Sequence, residues 1–337
     1  VKPVGQESIR AEDVQELFII NGPALAELVP LSDAIAIVDK AMQSLSDGQV
    51  VVPERTIMAV NSTTRLGLMP GAMPGRGRFG LKAVSLSTEA PRHGLSSHQG
   101  MMLLFDDRTG RSLAVLDCHA LTRLRTAAAS AVATRALTRP DAKTLAIIGT
   151  GDLALPHIEA MAMVRPITRV LVWGRSPDKA RAVAGKCSRL AVTVANSIEA
   201  AVAEADIICT LTASNGPILE GRWLKPGQHV NLVGASIRAA READDEVVAR
   251  GRFIADSRAH ALSQAGELRH AIERGRVGED HLKGEIGEVL LGRVPGRTAA
   301  DQITIYKSLG HVAQDIAVAD AALGRAGNSD KVAAIDW

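Results

Sequence analysis

The residues in this sequence best suited to chemistry include a short glycine run. Gly149-Thr150-Gly151-Asp152-Leu153-Ala154 fits the pattern G-x-G-x-x-G/A. In that pattern the first glycine permits a tight turn and the second lets backbone N–H groups approach a pyrophosphate. The small third residue keeps the following helix close to the preceding strand. These six residues are candidates for binding a dinucleotide. Asp152 sets a condition: a carboxylate pointing into the turn would repel the pyrophosphate, so its side chain is expected to face solvent. At the end of the next apolar run an acidic residue would bind the ribose 2′-hydroxyl of NAD, but the sequence reads Trp173-Gly174-Arg175-Ser176. Arg175 can pair with a 2′-phosphate and Ser176 can add a hydroxyl donor, which favours NADPH, with NADH as the alternative.

The elements that must position these residues follow from the apolar pattern. Residues 145–148 form an apolar run that ends in the glycine turn, a helical stretch follows to about 164, and residues 170–173 close the unit. That is the spacing of a right-handed βαβ crossover. Further strands are expected at 191–194, 207–211 and 230–233, separated by Ala-rich, charge-dotted helices at 177–186 and 198–205. Before about residue 128 the texture changes. Gly and Pro cluster in Met69-Pro-Gly-Ala-Met-Pro-Gly75, and 81–87 alternates, as in a mixed α/β or antiparallel region. A helix is expected at 312–323, then a polar tail at 327–330.

Composition narrows the partners. The 337 residues suffice for two domains, and 46% hydrophobic with 23% charged residues is ordinary globular composition. Basic and acidic side chains number 39 and 37, so 39 − 37 leaves +2, too small a field to favour nucleic acid or an anionic membrane. Aromatics at 2% leave few stacking platforms for single-stranded nucleic acid. Cys118, Cys187 and Cys209 show no metal-ligand spacing and fit reduced thiols. The sequence offers no 18-residue apolar stretch and no apolar leader, so a soluble, cytoplasmic protein acting on a small molecule is expected, with no metal.

Upstream of the fingerprint stands Leu121-Thr-Arg-Leu-Arg-Thr-Ala-Ala-Ala-Ser130. With Pro53-Glu-Arg55, Gly80-Leu-Lys82, Ser97-His98-Gln99, Asn231-Leu-Val-Gly-Ala-Ser236 and Tyr306-Lys-Ser-Leu-Gly310, it makes the chain resemble the ornithine cyclodeaminase/mu-crystallin family over nearly its whole length. The resemblance implies an α/β protein: a Rossmann-type doubly wound parallel sheet at 128–314, plus a mixed α/β substrate and dimerisation domain built from 1–127 and 315–337, assembled as a homodimer. It implies that Arg55 and Arg125 clamp the carboxylate of an imino or amino acid substrate and that Lys82 stands beside the reacting nitrogen. Thr126, Thr212, Val233 and Gly234 join the residues expected at the cofactor. Two guanidinium forks would fix the substrate, and like-charge repulsion from the arginines would lower the pKa of Lys82 until it acts as an acid near neutrality.

Ser236 departs from the cyclodeaminase pattern, which is implied to place an aspartate there for its extra proton transfers. The chain is more similar to the mu-crystallin-like ketimine reductases, which implies hydride transfer from NADPH to a 2-imino acid, in particular a cyclic ketimine. Asp244 or Asp245 would have to reach the pocket to replace the missing carboxylate. The alternatives are an ornithine cyclodeaminase-type lyase, an oxidoreductase of an acyclic imino or amino acid, and a non-enzymatic NADPH-binding protein. His98 is open between lining the pocket and a structural hydrogen bond.

Overall fold

The computed structural model describes residues 16–327 and 329–337. Residues 1–15 of the expected first domain, the stretch read for a leader, and Asn328 of the expected tail lie outside the described residues. Two sheets divide the strands. The first uses β1 (Glu16–Ile20), β2 (Thr56–Ala59), β3 (Thr64–Met73), β4 (Arg78–Ser87), β5 (His98–Asp106) and β6 (Ser112–Asp117). The second uses β7 (Thr144–Ile148), β8 (Arg169–Trp173), β9 (Ala191–Val194), β10 (Ile207–Thr210), β11 (His229–Leu232), β12 (Arg252–Ala255), β13 (Leu282–Glu285) and β14 (Thr304–Lys307). The last strand, β15 (Ala333–Asp336), returns to the first sheet beside β1.

The second sheet is parallel throughout, in the order β13-β12-β14-β11-β10-β7-β8-β9. Its central strands β10, β11 and β14 are buried at every position, polar residues such as Asn231 and Lys307 included, because helices cover both faces. The order reverses between β7 and β10, which creates a crevice at their carboxyl ends. The expected strands and helices of this half are present with ends shifted by one residue at most. Strands β12, β13 and β14 were not expected.

The first sheet is mixed, in the order β15-β1-β6-β5-β4-β3-β2, with β1 parallel to β6 and its other pairs antiparallel. Its inner face, including Gly80, Lys82, Val84, Met102 and Leu104, is buried. The helix Val312–Ala326 lies close on that face because glycines admit it: a Cβ at Gly71 would come within 2.5 Å of Val312 Cγ1. The Met69–Gly75 cluster carries β3 straight through Pro70 to Met73. Pairing with β2 ends at Leu68, so the proline sits on a stretch that β2 leaves unpaired. The outer face is also apolar. Ile19, Val115, Leu103, Leu81 and Pro70 pair in one row across five strands, and Phe79 stacks on Phe105 beside it with ring centroids 4.9 Å apart.

Between the sheets runs the helix Cys118–Leu137, started by Asp117, whose carboxylate accepts the amides of His119 at 2.8 Å and Ala120 at 3.2 Å. Every residue from Arg125 to Thr134 is buried, and the alanines among them let both sheets approach. Among the described residues no helix is long and apolar enough to cross a membrane.

Candidate active site

The glycine turn stands at the reversal of strand order. Gly149 has φ +126°, and a Cβ there would lie 2.8 Å from the Leu211 carbonyl oxygen, so a side chain is excluded on both counts. A Cβ at Gly151 would meet nothing within 4 Å, and Thr150 packs against Gly174. The helix Ala154–Val164 starts at Leu153 with no side-chain cap; the Ala154 amide turns back to the Gly151 carbonyl at 3.0 Å and Pro156 has none, so in this first turn the Leu155 amide is the one left for an anion, and Ala154 is buried as helix–strand packing requires. Across the crevice, the buried carboxylate of Glu242 accepts the amides of Thr212 at 2.6 Å and Gly234 at 2.7 Å and the Thr210 hydroxyl at 2.8 Å. It ties the ends of β10 and β11 together beside buried Val233. These residues fit a dinucleotide: an open glycine, an uncapped helix start and a second strand end held rigid.

Asp152 is half-exposed. Its Oδ2 lies 3.2 Å from Ser96 Oγ and 3.7 Å from His119 Nε2, and its carbonyl accepts from Arg123 Nε at 3.0 Å. The glycine turn is thereby fastened to the first sheet's half of the molecule. Beyond β8, Arg175 is exposed, and Ser176 caps the helix Pro177–Gly185 by accepting the Lys179 amide at 3.4 Å, which leaves its own O–H free to donate. A groove of about 390 Å³ beside them is lined by Trp173, Pro177, Val194, Asn196 and Arg181. The sequence had not singled out Arg181.

The cations meet on the inner face of the first sheet. Lys82 is 2% exposed and donates to Thr122 Oγ1 at 2.7 Å and Asp315 Oδ1 at 3.0 Å. Arg125 donates from Nε to the same Asp315 oxygen at 3.1 Å and from Nη1 to Gln314 Oε1 at 3.1 Å. Gly310, at φ +80°, leaves room for its guanidinium: a Cβ there would sit 2.8 Å from Arg125 Nη1. Arg55 reaches in from its loop and donates to the Ser236 carbonyl, within the field of Asp256 and Arg125. Beneath Gly310, Asp256 Oδ2 accepts the amides of Leu309 at 2.6 Å and Gly310 at 2.7 Å.

Burial is the largest cause lowering the Lys82 pKa; Asp315 opposes it, and Arg125 adds a smaller lowering. Repulsion, the cause expected from the sequence, is therefore the lesser part. Burial likewise lowers Arg55 and raises Asp256. His98 lies at the start of β5 with Nδ1 2.9 Å from Ser97 Oγ. Asp244 caps the helix Asp245–Arg250 and accepts the Gly221 amide at 3.0 Å, while Asp245 bonds His270 at 2.6 Å. Both carboxylates are thus committed away from Ser236.

One helix joins the two clusters. On Cys118–Leu137, Thr122 and Arg125 face Lys82 and Asp315, whereas His119 and Arg123 face Asp152 of the glycine turn. Cys118, Thr122 and Arg125 are spaced i, i+4, i+7, and so are His119, Arg123 and Thr126, which makes two neighbouring stripes of one helix. Asp315, Gln314, Thr122, Glu242 and Asp256 were missed by sequence reasoning. For Gln314 and Asp315 the signal was polarity early in an Ala-rich helix, and for Asp256 polarity at the end of an apolar run; Thr122 and Glu242 stand among charged residues and gave none.

The profile of the ornithine cyclodeaminase/mu-crystallin family matches residues 22–329. The chain belongs to that family. Within it, the mouse ketimine reductase mu-crystallin is 35% identical over 312 residues, covering 92% of this chain and 94% of the relative. The Δ1-pyrroline-2-carboxylate reductase of Bacillus cereus is 33% identical over 309 residues, 90% of this chain and 94% of the relative. Among solved structures, the Thermococcus litoralis Δ1-pyrroline-2-carboxylate reductase in complex with NADH and L-proline superposes with a TM-score of 0.90 at 31% identity, over 92% of this chain and 98% of the other. The family resemblance and the Rossmann-type fold expected from the sequence both hold.

Proposed function

We propose that the protein reduces 2-imino acids with NADPH, its preferred substrates being cyclic ketimines such as pyrroline-2-carboxylate or piperideine-2-carboxylate. The coarser statement, that it is an NAD(P)H-dependent oxidoreductase of C=N and CH–NH bonds, rests on family membership and on relatives named as reductases of imines. The observation that carries the finer reading is the helix with two stripes: it sets a buried lysine and an arginine clamp one stripe away from a dinucleotide turn.

When bound, the reduced nicotinamide supplies a hydride to the C=N carbon. Arg125 and Arg55 take the substrate carboxylate and fix the orientation of that carbon. Lys82 Nζ gives a proton to the imine nitrogen, which becomes the product amine, and the neutral lysine regains its proton from solvent. Arg175 and the free Ser176 hydroxyl hydrogen support NADPH over NADH, with Arg181 beside the groove as a further cation.

Two further features bear on assembly and surroundings. The apolar outer face of the first sheet supports a homodimer joined there, since a monomer would leave that row in water. The unpaired Cys118, Cys187 and Cys209 favour the reducing cytoplasm.

Ser236 beside Arg55, with Asp244 and Asp245 held elsewhere, favours the reductase over the cyclodeaminase. NADPH absorbance is to be followed with a panel of cyclic and acyclic 2-imino acids, and ammonia and proline assayed after incubation with L-ornithine and NAD or NADP. Oxidation of NADPH by a cyclic ketimine without ammonia release is expected. Robust ammonia and proline formation from ornithine would replace this reading with the lyase, and tight NADPH binding without any turnover would leave a binding protein.

A further inference from the structure

We propose that Asp315 is the positioning residue of the site. From the C-terminal helix it holds Lys82 as a charged donor with one direction left for its proton, and it fixes Arg125 so that only the terminal fork stays open to the substrate carboxylate. The inference rests on the reading of Lys82 as the proton donor.

An ammonium has three N–H bonds in tetrahedral array. Two of those of Lys82 are taken, by Thr122 Oγ1 at 2.7 Å and Asp315 Oδ1 at 3.0 Å, so the direction of the third is determined. A guanidinium offers a carboxylate either its side, through Nε and Nη2, or its end, through Nη1 and Nη2. Asp315 Oδ1 occupies Nε of Arg125 at 3.1 Å, which closes the side fork. Gln314 takes one hydrogen of Nη1, and the other hydrogen of Nη1 with both of Nη2 remain. Because a single oxygen receives both cations, the proton source and the clamp keep a fixed relation to each other.

The same carboxylate decides the charge of Lys82. Asp315 is completely buried, as is nearly all of Lys82, and a desolvated lysine beside a cation loses its proton readily unless an anion opposes it. The groups facing Lys82 are Asp315 from the C-terminal helix, Arg125 and Cys118 from the helix between the sheets, and His98 from β5. Among these Asp315 is the carboxylate. The pKa of Lys82 is lowered by burial and held up chiefly by Asp315. A reaction needing protonated Lys82 fails as pH rises through that pKa, so removing Asp315 moves the failure to lower pH.

The test is the pH dependence of kcat/KM for cyclic ketimine reduction in wild type, Asp315→Asn and Thr122→Val. D315N is expected to shift the basic limb down by roughly 1–2 pH units and to weaken L-proline binding, measured by calorimetry, about tenfold as Arg125 loses its anchor. NADPH affinity, read by fluorescence, should stay the same. T122V removes one acceptor and keeps the anion, so kcat should fall while the limb moves less than in D315N; if D315N does not fold, Asp315→Glu, which displaces the anion without removing its charge, should lower kcat with the limb close to that of the wild type. An active wild type whose basic limb is unmoved in D315N, or moves as far in T122V as in D315N, overturns this assignment and leaves the reductase reading intact. A wild type inactive on every imine overturns the reading it rests on.

Discussion

The two sheets bury their side chains by different rules. In the parallel sheet both faces are covered by the chain's own helices, and strands such as β10 are buried throughout for that reason. In the mixed sheet one face is covered by the helices Val312–Ala326 and Cys118–Leu137, yet the other is nearly as apolar: Leu81, Leu103 and Val115 stand outward while Lys82 stands inward. The usual alternation of polar and apolar residues is inverted at the one position where chemistry is expected. A sheet that keeps its cation inside and its aliphatic row outside accords with the proposed substrate site on one side and the proposed dimer contact on the other.

Four measurements put this contrast to the test. The largest effect is expected in acid. His157 and His229, both in the parallel-sheet half, are buried, with pKa values lowered to about 4 and about 3. Unfolding lets them take up protons below their ordinary value near 6.5. Stability should therefore be full above about pH 6.5 and fall by about 1.4 kcal/mol per pH unit per imidazole down to about pH 4. Urea unfolding followed by tryptophan fluorescence at pH 7 and pH 4.5 should differ by roughly 5 kcal/mol for the two together; equal stabilities would show that neither ring is buried neutral. Next, Leu103→Lys sets a charge from each protomer on the outer row and should weaken the homodimer at least 1000-fold, about 4 kcal/mol, by sedimentation. A wild type that is monomeric at micromolar concentration removes the idea.

Third, Arg125→Lys replaces the terminal fork by a point charge and should lower kcat/KM about 100-fold, roughly 2.7 kcal/mol, while NADPH affinity holds. Unchanged kinetics would take Arg125 out of the site. The smallest effect belongs to the exposed Arg175: Arg175→Ala should weaken NADPH binding about tenfold, near 1.4 kcal/mol, and leave NADH as it was. Equal losses for both would show that it does not read the 2′-phosphate.

The contrast between the sheets also explains what the sequence disclosed. Strands β7, β8 and β10 were legible because burial on both faces writes an apolar run, and the glycine turn marks where the first of them ends. Of the mixed sheet only the alternating 81–87 showed a period of two; elsewhere apolar residues on both faces blur it, and Pro70 hid a strand that in fact runs through it. Strand β15 was missed because it is exposed at all four positions, so burial writes no pattern into the residues that pair with β1. Within the site, Lys82, Arg55 and Arg125 were named from family motifs. Asp315 lies 233 residues from Lys82 in the chain, and no local pattern announces such a contact.

The helix with two stripes has a consequence for how this sequence tolerates change. One residue inserted between Arg123 and Arg125 would turn everything beyond it by about 100°, swinging Arg125 away from the lysine while His119 and Arg123 kept their grip on the turn. Point substitutions on that helix can be graded one at a time, but its length cannot drift. Over evolutionary time the segment from Cys118 to Arg125 should admit replacements and refuse insertions or deletions, whereas the exposed strand at the chain's end is free to do both.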